Sequence, residues 1–163
     1  MKFVADAMLG RLAKWLRLMG FDVLYYPDIR DRELIRIARE QERTILTRDT
    51  GLMKSKGGID AVFIEADDLS AQLVQIRDKL DFYAAAPLGR CEICNGFLSG
   101  VTEKKEVRDI VPDFVYHNYD HFVRCASCGK VYWEGSHYRE IREKIARVMH
   151  SPDRAGIKEE SED

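Results

Sequence analysis

The sequence contains no apolar run close to the roughly 18 to 20 residues that a bilayer-spanning helix needs. Its opening, MKFVADAMLG, lacks the basic stretch and apolar core of an export signal. A cytoplasmic protein with no membrane partner is the expectation. Cysteine is scarce, with four residues in 163, and all four fall in two Cys-x-x-Cys pairs. Without an export signal, that usage suggests a bound metal rather than disulfides. A strong net charge is also missing: the formal charge is −2 and the pI about 6.1. Lys/Arg against Asp/Glu is 14 to 14 over residues 1–86, 10 to 9 over 87–149 and 2 to 5 over 150–163. The acidity sits in the tail, so whole-chain pI argues neither for nor against a nucleic-acid partner. No internal repeat is present beyond the doubled cysteine pair.

The first half alternates. KFVAD (2–6), DVLYY (22–26), RTILT (43–47) and DAVFI (60–64) read as strands. Between them, AMLGRLAKWLRLMG (7–20) and DRELIRIAREQ (31–41) carry helical periodicity. In the first of these, Leu9, Leu12, Ala13, Leu16 and Met19 share a face, with Arg11, Lys14 and Arg17 on another. Asp31 is placed to cap the second. DLSAQLVQIRDKLDFY (68–83) is a third long helix. The alternation predicts a parallel sheet of about four strands with right-handed crossovers and helices on its faces. Its 45% hydrophobic content supplies one ordinary core and a small satellite unit. AAAPLG (84–89) marks a boundary, giving an α/β unit at 1–86 and a turn-rich, cysteine-bearing unit at 87–149. HYREIREKIARVMH (137–150) closes that unit as a helix, and residues 150–163 read as a disordered acidic tail.

Cys91-Glu-Ile-Cys94 and Cys125-Ala-Ser-Cys128 each allow two thiolates to grip one ion from a tight turn. Two such turns close a tetrahedral four-cysteine site with no open position, the pattern of structural Zn²⁺. The competing reading is two unrelated reduced pairs, or a redox pair. Asn95 and Gly129 follow the second cysteines, where a reversed turn is needed. EVRDIV and HFVRC are the candidate strands of the spacer.

Each strand of the first half ends near a carboxylate: Asp6, then Asp28 and Asp31, then Asp49, then Glu65, Asp67 and Asp68. In an open parallel sheet, ligands bind beyond the carboxyl ends of the strands. Crowded carboxylates repel unless a cation neutralises them, and hard oxygen ligands select Mg²⁺ or Mn²⁺. Asp31, Asp49 and Asp68 also suit helix caps, and Asp28 a turn. The same pattern fits a phosphoryl-accepting receiver domain.

The segments FVADAMLGRLAKWLRLMGFDVLYY, DRELIRIA and RTILTRDTGL, followed by RCEICNG and RCASCGKVYWEGSH, resemble the Mut-seven C-terminal family of RNases. The resemblance runs from about residue 2 to 140. It implies a PIN-like nuclease domain joined to a zinc ribbon, acting on RNA with Mg²⁺ or Mn²⁺. Carried over, Asp6, Asp31 and Asp49 are the catalytic metal ligands, with Asp67 or Asp68 as a fourth acid; Glu33 is a weaker match to an internal helix glutamate. Arg11, Arg48 and His137 become RNA-binding candidates, Lys14 a solvated cation or a further phosphate contact, and Tyr132 and Trp133 either base-stacking or packing residues. The rival from another class is a non-catalytic RNA- or ribosome-binding adaptor whose working part is the ribbon. A toxin-type PIN nuclease fits less well, because small toxins usually lack a ribbon.

Overall fold

The computed structural model describes residues 1–80 and 86–150. The tail beyond His150 and residues 81–83 of the helix expected over 68–83 lie outside the described residues. The α/β half is built on β1 (Lys2–Ala5), β2 (Asp22–Tyr25), β3 (Thr44–Thr47) and β4 (Ala61–Phe63). All pair in parallel, in the order β2-β1-β3-β4. The connecting helices are α1 (Gly10–Leu18), α2 (Asp31–Glu40), α3 (Thr50–Ser55) and α4 (Leu69–Ile76).

Strand alternation sorts the core into two faces. Phe3, Ala5, Val23 and Leu46 point one way, against Leu12, Ala13, Leu16 and Met19 of the α1 segment and Leu69, Leu73 and Ile76 of α4. Val4 and Ile45 point the other way, against Leu34, Ile37 and Ala38 of α2 and Leu52 of α3. The three-layer arrangement matches the sequence expectation. Several boundaries differ. The 7–20 helix begins as a 3₁₀ turn (Ala7–Leu9) capped by the Asp6 side chain, and α1 proper starts at Gly10. At the start of α2 the cap position is Arg30, with no side-chain cap bond; Asp31 is already the first helical residue. There it is placed to complement the helix dipole rather than to cap.

The second half holds an antiparallel sheet of β5 (Leu98–Gly100), β6 (Phe122–Cys125) and β7 (Val131–Trp133), then α6 (Ser136–His150). HFVRC does form a strand; EVRDIV does not. Its residues lie in a 3₁₀ turn (Lys104–Val107) and the bend after it, and α5 (Asp113–Asn118) follows. Val107, Val111, Val115, Phe122 and Val131 give this excursion a small core of its own. Ile141 and Val148 of α6 join the main core, where α6 packs along α4. Among the described residues no helix is long and apolar enough to cross a membrane.

Candidate functional site

The chain runs from β1 outward to β2, returns across β1 to β3, and continues outward to β4. Strand order therefore reverses between β1 and β3, and their carboxyl ends flank the crevice where such sheets bind ligands. Asp6 stands at one lip and Asp49 at the other. Ala5 pairs with Leu46, so Asp6 falls beside Thr47. Asp6 is buried, and its carboxylate is held by three donors: Met8 N–H at 2.8 Å on Oδ1, and the Thr47 hydroxyl and Arg48 N–H (2.7 Å) on Oδ2. Thr47 is fully buried, and its Oγ1 also accepts from Asp49 N–H at 2.9 Å. One hydroxyl thus ties the two aspartates together. Asp49 caps α3, spending Oδ1 on Gly51 N–H (2.6 Å) and Leu52 N–H (3.1 Å).

A carboxylate offers about four lone-pair sites. Three are used on Asp6, which leaves one on Oδ1. On Asp49, Oδ2 has no donor among the described residues. Each can still give one oxygen to a hard cation, and Mg²⁺ is commonly held by one or two carboxylates with water completing its shell. Asp31 opens α2 at the same sheet edge and is exposed, with no polar partner among the described residues. The carboxylates of Asp6, Asp31 and Asp49 do not converge as the cysteines do: among the described residues the four cysteines are the group whose ligand atoms come together. Asp67 pairs with the Arg48 guanidinium, and Asp68 caps α4 through Ser70 and Ala71 N–H. Glu33 is bound by Arg36 on the α2 surface, which holds its carboxyl below the usual range.

The cysteines do meet. Their sulfurs all lie within 4.8 Å of one another, with Cys91–Cys128 at 3.5 Å and Cys94–Cys125 at 3.4 Å. Zn–S bonds of about 2.3 Å set tetrahedral sulfurs about 3.8 Å apart, so the donor set fits zinc. The two knuckles repeat one backbone pattern. Cys91 N–H bonds Gly96 O and Asn95 N–H bonds Cys91 O; Cys125 N–H bonds Lys130 O and Gly129 N–H bonds Cys125 O. Asn95 (φ 65°) and Gly129 (φ 77°) supply the left-handed residue each turn requires. Burial works against ionising Cys125, but the Cys128 and Ser127 N–H groups and nearby thiols bring its pKa down to about 6. For Cys128, the Lys130 N–H favours the thiolate, yet burial and the three neighbouring thiols push it up to about 12. Four sulfurs this close cannot all ionise without a cation among them. The Tyr132 hydroxyl contacts Cys91 Sγ at 3.1 Å, the kind of outer contact that orients a ligand. Tyr132 is buried there and Trp133 packs beside Tyr119, so both are engaged in packing.

The first knuckle docks on the amino edge of the parallel sheet, opposite the acidic edge. Arg17, placed by the periodicity on a different face of α1 from the apolar residues, is buried. Its Nε donates to Val23 O (2.8 Å), and its NH1 to Glu92 O and Ile93 O (2.9 and 3.1 Å). Asn95 accepts from Val23 N–H (3.1 Å) and donates to Asp22 (2.8 Å), which also pairs with Arg43 at 2.7 Å. Despite partial burial, Arg43 and Asn95 hold the Asp22 carboxyl below its ordinary value. Sequence reading missed Thr47 and Arg17 as site residues, and gave Asn95 only as a turn residue of the knuckle, without its contacts to the sheet. Thr47 carried a signal as the residue two before Asp49. Of the RNA candidates, Arg11 is exposed on the first turn of α1 and Arg48 is paired at the acidic edge. His137 is exposed on the knuckle side, 3.9 Å from Glu140, and lines a pocket of about 270 Å³ with Glu92, Lys130 and Trp133.

Fold and site together define an open parallel α/β domain with an acidic carboxyl edge, carrying a four-cysteine group consistent with a zinc ribbon. Residues 1–145 match the Mut7-C RNAse domain, and the chain belongs to that family. No curated protein and no solved structure matches it.

Proposed function

We propose that the protein is a cytoplasmic, metal-dependent ribonuclease that hydrolyses RNA phosphodiesters at the carboxyl edge of its parallel sheet. The observation that carries this reading is the coupling of Asp6 to Asp49 through Thr47 at the switch point of the sheet. Asp6 and Asp49 would hold Mg²⁺ or Mn²⁺, with Asp31 standing at the same edge without converging on them. When bound, such an ion supplies Lewis acidity toward a phosphoryl oxygen and lowers the pKa of a bound water. The residues of the chain do the rest. Asp6 is fixed by three donors and keeps its oxygen aimed without reorganisation. Asp49 is fixed by the N-terminus of α3. Arg48 is placed to exchange Asp67 for an RNA phosphate. The four-cysteine group would hold structural Zn²⁺ and help orient RNA.

One observation favours the adaptor reading instead. The Arg48 guanidinium already neutralises Asp67, and protein donors occupy most of the Asp6 carboxylate. A cleavage assay separates the two readings. Wild type, Asp6→Asn and Asp49→Asn are incubated with single-stranded RNA and Mn²⁺ or Mg²⁺, with circular dichroism as a check on folding. The nuclease reading expects cleavage by wild type and a loss of at least about 100-fold in both variants. Equal cleavage by all three moves the site elsewhere, and RNA binding without cleavage favours the adaptor.

A further inference from the structure

Trp15 is one of two tryptophans, and neither the acidic edge nor the zinc knuckles account for its setting. It is half-buried on α1, packed against the main core. At about 1.5 Å per residue it lies roughly 8 Å along α1 from the first turn, which follows Asp6 through a single 3₁₀ turn. Cations lie near it. Arg11 is one turn earlier on the same helix and Lys14 adjoins it; both are exposed, and neither has an ion-pair partner among the described residues. From α6, Lys144 places its Nζ 4.8 Å from the centre of the Trp15 ring and 3.4 Å from Ser70 Oγ. Ser70 lies in the first turn of α4, next to the Asp68 cap, so Lys144 also borders the carboxyl edge of the sheet.

The charge on α1 is one-sided. The segment forming α1 holds no carboxylate. On α6 the carboxylates are turned to other partners, Glu140 to His137 and Glu143 to Arg147. Elsewhere many surface cations are neutralised, as with Arg36, Lys104, Lys105 and Lys130. A partly exposed indole with Lys144 over its ring and Arg11 one turn away suits a flexible single strand: an incoming base takes the ring face from the Lys144 ammonium, which with Arg11 and Lys14 then meets neighbouring phosphates.

We propose that Trp15, Arg11, Lys14 and Lys144 form a single-stranded RNA contact that guides the strand across α1 to the acidic edge. The choice of RNA as ligand rests on the ribonuclease reading above. The test uses the full zinc-loaded chain and fluorescein-labelled single-stranded RNA without added Mg²⁺ or Mn²⁺, read by anisotropy over a range of NaCl. Substituting Arg11→Gln, Lys14→Gln and Lys144→Gln together is expected to weaken binding at low salt at least tenfold. The slope of log K against log salt should fall by about 2, since each phosphate contact on a single strand contributes about 0.7. In a Trp133→Phe background, RNA should quench the remaining Trp15 emission. Wild-type affinity and slope in the triple variant, unchanged Trp15 emission at saturation, or no RNA binding by wild type would each overturn the proposal. The two readings fail separately. Binding through this patch with no cleavage under Mn²⁺ leaves the contact standing and removes the nuclease. Cleavage with unchanged KM in the triple variant does the reverse.

Discussion

Thr47 is the smallest part of the acidic edge with the largest lever on it. Its hydroxyl gives its proton to Asp6 and takes one from the Asp49 backbone, in a fully buried position. Thr47→Val keeps the shape but strips a donor from a buried carboxylate and orphans an N–H, which costs about 1–3 kcal/mol. Urea denaturation should show that loss, while Thr47→Ser, which keeps both bonds, should recover most of it. The two aspartates were legible in the sequence because Asp6 follows its strand directly and Asp49 stands one residue beyond its own. The role of Thr47 was not, because an alternating strand pattern counts a buried threonine as one more inward position. Asp31 was legible as a residue at the edge but not as the first residue of its helix, because whether a cap falls at Arg30 or Asp31 is decided by backbone dihedrals near the helix start.

At the scale of elements, the order of strands and helices in the α/β half followed from periodicity, because each element buries one face locally. The docking of the first knuckle did not. Val23 and Asp22 are bound by Asn95, and Arg17 by the carbonyls of Glu92 and Ile93, across more than 70 residues of chain. A buried arginine on an amphipathic helix reads as a solvated one until its partner arrives. Asn95→Gly keeps the positive φ but removes both side-chain bonds, and should cost about 2 kcal/mol in urea unfolding with zinc still bound. Asp22 gives this junction a pH signature. Its folded pKa is lowered, so its contribution is present above the ordinary Asp value of about 3.9 and is lost as pH falls through the folded value. At neutral pH, Asp22→Asn should be less stable than wild type, because Arg43 keeps its charge beside a neutral amide. The gap between their urea midpoints should narrow as pH drops below about 4. A gap that stays constant would mean that the carboxylate is not ionised in this pair.

For the whole molecule, the division at residue 86 describes the texture of the sequence, while the core crosses it. Cys91, Cys125, Tyr132 and Ile141 belong to the same buried cluster as Phe3, Leu16 and Val23. The connection is pinned as well, with Ala86 N–H on Met19 O and Leu88 N–H on Leu18 O at the end of α1. A zinc site in this position would stabilise more than its own knuckles. The cysteines form part of the wall that α1 packs against, and Arg17 sets a buried positive charge close to a cluster whose four thiolates around Zn²⁺ would carry net negative charge. Metal analysis of protein purified under reducing conditions should give one zinc per chain, and Cys125→Ser should lose it. Removing zinc with a chelator in the presence of reductant should lower the thermal midpoint of the whole chain in one transition. Amide protons of β1 and β2, next to the Asn95 contacts, should lose hydrogen-exchange protection along with those of β6. If β1 and β2 stayed protected while β6 exchanged, the ribbon would be an appendage that folds and melts alone, and zinc could not act on the acidic edge through the sheet.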